Sequence, residues 1–256
     1  MTKAYFIRGN QYSRFDVEQD HIDSGYPKAL TNGWAGIDAT GFAGGFDTAI
    51  DLGTGKLYLF LGSNYVRADH QSNAIDGPVT PIAGNWGGLA EAGFGDGLDA
   101  AINWGDGTAY FFKGDAYIQY TIGGDAVIAG PAPIAGNWPG MAEAGFGDGL
   151  DAAINLGNGA AYFFKGGSYV RYTIGVGVAE SYAVPIADNW SGFSAAGLAN
   201  GVDASWVKLV TGATPPPPSA GLGPGDHVWY YNGQISTDKN VPRASWFPGS
   251  NPGGLQ

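Results

Sequence analysis

The sequence predicts an all-β chain: a four-bladed β-propeller with a short, aromatic-rich C-terminal extension. Three observations point there. One segment is written four times, with Asp47, Asp99, Asp151 and Asp203 spaced 52 residues apart and each two residues after a glycine (Gly45, Gly97, Gly149, Gly201). A fixed period near 50 residues marks a repeat architecture. Gly accounts for 45 of 256 residues and aromatics for 14%, without a collagen period, which suits many short strands joined by tight turns. Finally, the chain opens on the middle strands of a repeat and its last copy of the segment has no middle strands after it. Residues 203–210 are therefore expected to supply the inner strand of the blade that starts at Ala4, closing the ring and leaving no orphan edge.

The first element, Tyr5 to Phe15, reads as two strands around Gly9-Asn10, a hairpin signal. Its equivalents start at Tyr58, Tyr110 and Tyr162. The first step is one residue longer, which places an extra residue in the loop around Gln19 to Ser24. Each unit then passes through a Pro- or Gly-rich loop to a tryptophan: Trp34, Trp86, Trp138 and Trp190. The segment before each Trp is too short for a long helix, so a third, outer strand and one helical turn are expected. Trp buries a large apolar area, so each should plug the seam between neighbouring units.

After Val210 the composition changes. Thr211 to Ser219 contains four consecutive prolines, a polyproline-type spacer of about 12 Å. The expected organisation is a propeller over 1–210, a Pro-rich linker over 211–224 and a tail over 225–256. The tail is too small for a core of its own. Asn232-Gly233 after Val228–Tyr231 suggests a hairpin there. Its five aromatics, Trp229, Tyr230, Tyr231, Trp246 and Phe247, are candidates for docking on the chain itself, on a second copy or on a partner.

The formal charge of −11 disfavours nucleic acid, whose phosphates it repels, and favours cations, polyamines or basic protein surfaces. With no Cys there is no disulfide and no thiolate metal site. No apolar run reaches membrane-spanning length. No signal peptide is visible, so a cytoplasmic chain, a processed mature chain or export by a non-Sec route is expected.

Tyr110-Phe111-Phe112-Lys113-Gly114-Asp115-Ala116-Tyr117, then Trp138-Pro139-Gly140 and Asp151-Ala152-Ala153-Ile154, resembles the hemopexin repeat. So does Gly25-Tyr26-Pro27-Lys28 leading to Trp34. The resemblance spans residue 4 to about 210. It departs from the vertebrate pattern in lacking the ring-closing Cys pair and is closer to bacterial and plant members. It implies a four-bladed propeller that binds ions in a central channel, with the inner-strand Asp at the channel mouth and main-chain carbonyls facing a cation. The matching positions are Asp47, Asp99, Asp151 and Asp203. Strand alternation gives a second ring at Ala49, Ala101, Ala153 and Ser205.

Elementary electrostatics points the same way. Two carboxylates about 6 Å apart repel by roughly 3 kcal/mol at an effective dielectric of about 20, and a hard cation with oxygen ligands relieves that. If the side chains instead accept turn amides, four carbonyl dipoles still suit Na⁺ or Ca²⁺. The bland alternative is that each Asp only holds its Gly-rich turn and the channel contains water.

Other chemistry is thin. His21, His70 and His227 lack zinc-hydrolase spacing and are expected to be solvated, the first two in outer loops and His227 in the tail; haem ligation by His70 and His227 is not expected. Glu91, Glu143, Asp96 and Asp148 read as a symmetric acidic rim able to attract a polyamine. No nucleophile elbow occurs. The expected function is a non-enzymatic binding protein, with Ca²⁺ or Na⁺ in its channel, that recognises a protein or glycan. The alternatives are a self-associating, storage-like homodimer formed through the tail, and a haem or polyamine binder.

Overall fold

The computed structural model describes residues 2–178 and 182–208, together with the backbone of two tail strands, 227–231 and 234–238. Blade I contains β1 (Lys3–Arg8), β2 (Gln11–Asp16) and two short outer strands, β3 (His21–Ile22) and β4 (Lys28–Ala29). Blade II is β5 (Thr48–Asp51), β6 (Lys56–Leu61), β7 (Asn64–Asp69) and β8 (Thr80–Pro81). Blade III is β9 (Ala100–Asn103), β10 (Thr108–Lys113), β11 (Ala116–Thr121) and β12 (Ala126–Pro133). Blade IV is β13 (Ala152–Asn155), β14 (Ala160–Lys165), β15 (Ser168–Thr173), β16 (Gly177–Val178) and β17 (Val184–Pro185). The last propeller strand is β18 (Ala204–Lys208), and it belongs to blade I.

Every ladder is antiparallel, as short hairpin turns require. β18 pairs with β1 from Lys3↔Lys208 to Ile7↔Ala204, so the two ends of the propeller are joined by backbone hydrogen bonds in one sheet. The four inner strands β18, β5, β9 and β13 lie side by side in a ring around one axis. The result is the four-bladed, all-β propeller predicted from the repeat.

The core follows from alternation along the strands. Successive inner-strand side chains point to opposite faces of a blade, and each face packs on a different neighbour. Four separate apolar clusters result, one per seam. At the seam of blades III and IV, Trp138 packs 5.3 Å from Phe112 on one blade and 5.3 Å from Tyr172 on the other, centroid to centroid. Trp34, Trp86 and Trp190 occupy the other three seams in the same way. A buried aromatic of this size contributes roughly 4–6 kcal/mol of gross burial energy. One helical turn sets each Trp in place: its amide donates to the carbonyl four residues earlier, Leu30, Ile82, Ile134 and Ile186 respectively.

The glycine that precedes each inner strand is required by its backbone. Gly45 has φ +129°, and a Cβ there would lie 2.8 Å from the carbonyl oxygen of Gly9. In the tail, β19 (His227–Tyr231) pairs antiparallel with β20 (Gln234–Asp238), closing with Tyr231 opposite Gln234.

Candidate functional site

The axis is built from the ends and edges of the inner strands. Asp47, Asp99 and Asp151 are exposed and Asp203 is half-buried. Their carboxylates do not converge: among the described residues no group of three or more His, Cys, Asp or Glu side chains could hold a metal. Each Oδ2 instead accepts a 2.6 Å hydrogen bond from the amide of the hairpin glycine in its own blade: Gly62, Gly114, Gly166 and Gly9 respectively. Asp203 also takes Arg8 Nη1 at 2.8 Å. Each Asp thus ties the start of an inner strand to the turn between the two middle strands.

The oxygens that do face the ring are main-chain carbonyls. Asn103 Nδ2 donates to Asp51 O at 2.9 Å, and Asn155 Nδ2 donates to Asn103 O at 3.4 Å and to Trp104 O at 2.9 Å. Ser205 Oγ donates to Ala153 O at 3.1 Å. Each bond crosses from one inner strand to its neighbour in the ring, or at Trp104 to the residue just after it. Carbonyls two residues apart in a strand point to the same edge. The carbonyls of Ala49 and Ala101 therefore share that edge with those of Asp51 and Asn103, and Ala153 is already on it. The side chains of Ala49, Ala101, Ala153 and Ser205 are buried, so this second ring offers backbone oxygen plus one hydroxyl. An all-oxygen set of this kind fits a hard cation and offers no soft or nitrogen ligand for a transition metal.

The far end of the axis departs from four-fold symmetry. Asp51 stands where the copies are Asn103, Asn155 and Val207. It is 3% exposed, and its Oδ2 lies 2.5 Å from His70 Nδ1, itself only 6% exposed. This corrects the expectation of a solvated His70. The sequence did carry a signal: the positions 52 and 104 residues after His70 are Ile122 and Ile174, so His and Asp replace an Ile and an Asn together. Lys208 is near the same end, donating to Gln71 O at 3.2 Å. Burial lowers its pKa, against the pull of Asp51 and Asp69. His21 also departs from the loop reading, since it lies in β3 with Nδ1 buried and without a partner among the described residues.

The acidic rim is partly neutralised. Asp96 pairs with Lys113 and Asp148 with Lys165, and the same ammonium groups donate to Gly93 O and Gly145 O. The hydrogen bond from the lysine is the main cause holding each of these carboxyls below its ordinary pKa. Trp229, Tyr230 and Tyr231 lie on β19, but their side chains, and Trp246 and Phe247 altogether, fall outside the described residues.

The hemopexin family profile matches residues 2–39, 98–142 and 150–195. An Albumin-2 of Lathyrus sativus is 31% identical over 123 residues, 46% of this chain and 54% of that protein. The chain therefore spans about half the length of the curated relatives it matches. Among solved structures, the 2S albumin seed protein from Dolichos is similar at 26% identity and a TM-score of 0.67, covering 75% of this chain and 92% of that one. The hemopexin-fold protein CP4 from cow pea gives 25% identity, a TM-score of 0.67 and the same coverage. No helix of the described residues is long and apolar enough to cross a membrane.

Proposed function

Since the chain belongs to the hemopexin family, we propose that it is a non-enzymatic binding protein that holds a cation in its central channel and recognises a protein or glycan partner. The observation that carries the cation is the set of hydrogen bonds between neighbouring inner strands, which marks the ring-facing edge as a row of carbonyl oxygens. Ala49, Ala101 and Ala153 would hold the ion through their carbonyls, with Ser205 at the fourth position. Asp47, Asp99, Asp151 and Asp203 act at the mouth: their negative field draws a cation inward, while their bonds to glycine amides keep the inner strands in register. Na⁺ and Ca²⁺ both suit such a ring, and Ca²⁺ completes its larger ligand number with water. Bound to the folded ring alone, the ion is a stabiliser by linkage.

Thermal melts of chelator-treated, dialysed protein test this. At a hundredfold excess over Kd, an ion that binds only the folded state adds about 2.7 kcal/mol, or about 6 °C for a propeller of this size at about 2.1 cal/mol/K per residue. A rise with CaCl₂ or NaCl over matched choline chloride supports the channel ion. Identical melts in all three salts would overturn it.

A further inference from the structure

A half-open cleft of about 360 Å³ lies between blades II and III, and its lining includes Tyr58, Tyr65, Trp86, Arg67, Thr54 and Asp125. That volume falls at the small end of the range for ligand sites. Tyr58 and Tyr65 are only half-buried, so part of each ring is available from the cleft. Their planes are tilted by 49° to each other, and both stand nearly perpendicular to Trp86, at 81° and 87°. The indole N–H of Trp86 is buried and lacks a hydrogen-bond partner among the described residues.

The polar groups are fixed in position. Val127 N donates to Gly87 O at 2.9 Å, which docks the β11–β12 turn beside Trp86. Asp125, in that turn, is held by the hydroxyl of Tyr120. Arg67 is oriented by Asp76, which takes its Nε at 2.8 Å. Asn85 commits its Nδ2 to Pro81 O, leaving its carbonyl oxygen as an acceptor. The equivalents of Arg67 and Asp125 in the next seam, 52 residues on, are Gln119 and Gly177, so that seam lacks the charged pair, whereas the seam of blades IV and I carries Arg171 and Asp20 at the matching ladder positions.

We propose that this cleft binds one neutral pyranose unit of a glycan. The proposal rests on the glycan reading of the function and locates its site. A ligand with a net charge of either sign meets a like charge here, from Arg67 or from Asp125. A polyhydroxyl ligand meets none, since it donates to the carboxylate and accepts from the guanidinium. The inclined tyrosines offer no parallel slot for a flat aromatic ring. They do present two π faces to the C–H groups of a puckered ring.

The test is an array of neutral oligosaccharides probed with the full chain and with the double variant Arg67→Gln/Asp125→Asn, followed by a titration of the best-bound glycan. The substitutions keep the fold: Gln is the residue of the blade III copy, and Asn keeps an acceptor for Tyr120. Matched thermal melts check that they do. The expected result is at least a tenfold loss of affinity in the variant. Equal binding by both proteins would overturn the cleft and leave the glycan reading standing. No binding by the wild type would remove both and leave a protein partner.

Discussion

Trp206 joins the closing strand to the rest of the ring, and its truncation tests the closure quantitatively. The side chain is 6% exposed. It stacks on Tyr5 of β1 with centroids 5.2 Å apart and planes 6° apart, and it meets Trp34 edge-on at 5.7 Å. It also touches Phe46 at the entry to blade II, at 6.4 Å. Trp206→Ala removes a large buried ring from a seam whose backbone is held on both sides, so the site has little room to collapse. Truncations of this kind cost about 3–5 kcal/mol, and the lost aromatic pairing lies within that figure. For a propeller of about 200 residues the entropy of unfolding is about 0.4 kcal/mol/K, so a cost of about 4 kcal/mol lowers Tm by about 9 °C. Scanning calorimetry at constant salt and protein concentration measures the shift, with Val176→Ala, at a 71% exposed position, as the neutral control. A fall of less than 2 °C would mean that the closing strand adds little to the ring, and the energetic argument would be wrong.

Four further outcomes follow from the same geometry. Asp51→Ala should cost about 2–3 kcal/mol by leaving His70 and the Gly53 amide without their acceptor. The pair Asp51→Asn with His70→Ile, which copies Asn103 and Ile122, should be far milder than His70→Ile alone; additive costs in a double-mutant cycle would contradict the coupling. Asp16 is held below its ordinary pKa chiefly by its hydrogen bond from Lys3, helped by the amides of Gln19 and Glu18. Burial pushes Asp23 up, but Lys3 and Arg14 outweigh it, so the net shift is also downward. Both carboxylates therefore stabilise the fold fully above the unfolded value near pH 4, and that contribution is lost as pH falls through their lowered folded values. A Tm–pH profile from 2 to 7 should show this loss, and Lys3→Met should reduce its size; an unchanged acid limb would refute the linkage. Asn155→Ala removes the bonds to Trp104 O and Asn103 O and should cost about 1–2 kcal/mol, read by urea denaturation; a neutral result would mean that water replaces the side chain at no cost.

What could be read in the sequence was whatever the period repeats. The four Trp contexts located the seams because the same packing problem recurs four times and has the same solution each time. The four Asp positions were found for the same reason. Their partners were not, because a carboxylate beside a glycine hairpin and a carboxylate beside a cation give the same one-dimensional pattern. In the folded chain the amide of Gly114 lies 2.6 Å from Asp99 Oδ2. The His70–Asp51 pair was missed for the opposite reason. Averaging over copies hides a change made in one of them, and both residues differ from blades III and IV at matched positions. The cleft beside Trp86 depends on the β11–β12 turn docking against Gly87, which no local pattern encodes.

The row of oxygens along the axis either binds a cation or does not. Crystals grown with CaCl₂ and measured at long wavelength provide the direct observation. A channel Ca²⁺ should give an anomalous peak on the axis at about 2.3–2.6 Å, the usual Ca²⁺–oxygen distance, from the carbonyl oxygens of Ala49, Ala101 and Ala153. An axis with no cation density in crystals grown with either CaCl₂ or NaCl, or a cation bound only by the carboxylates of Asp47, Asp99, Asp151 or Asp203, would contradict it.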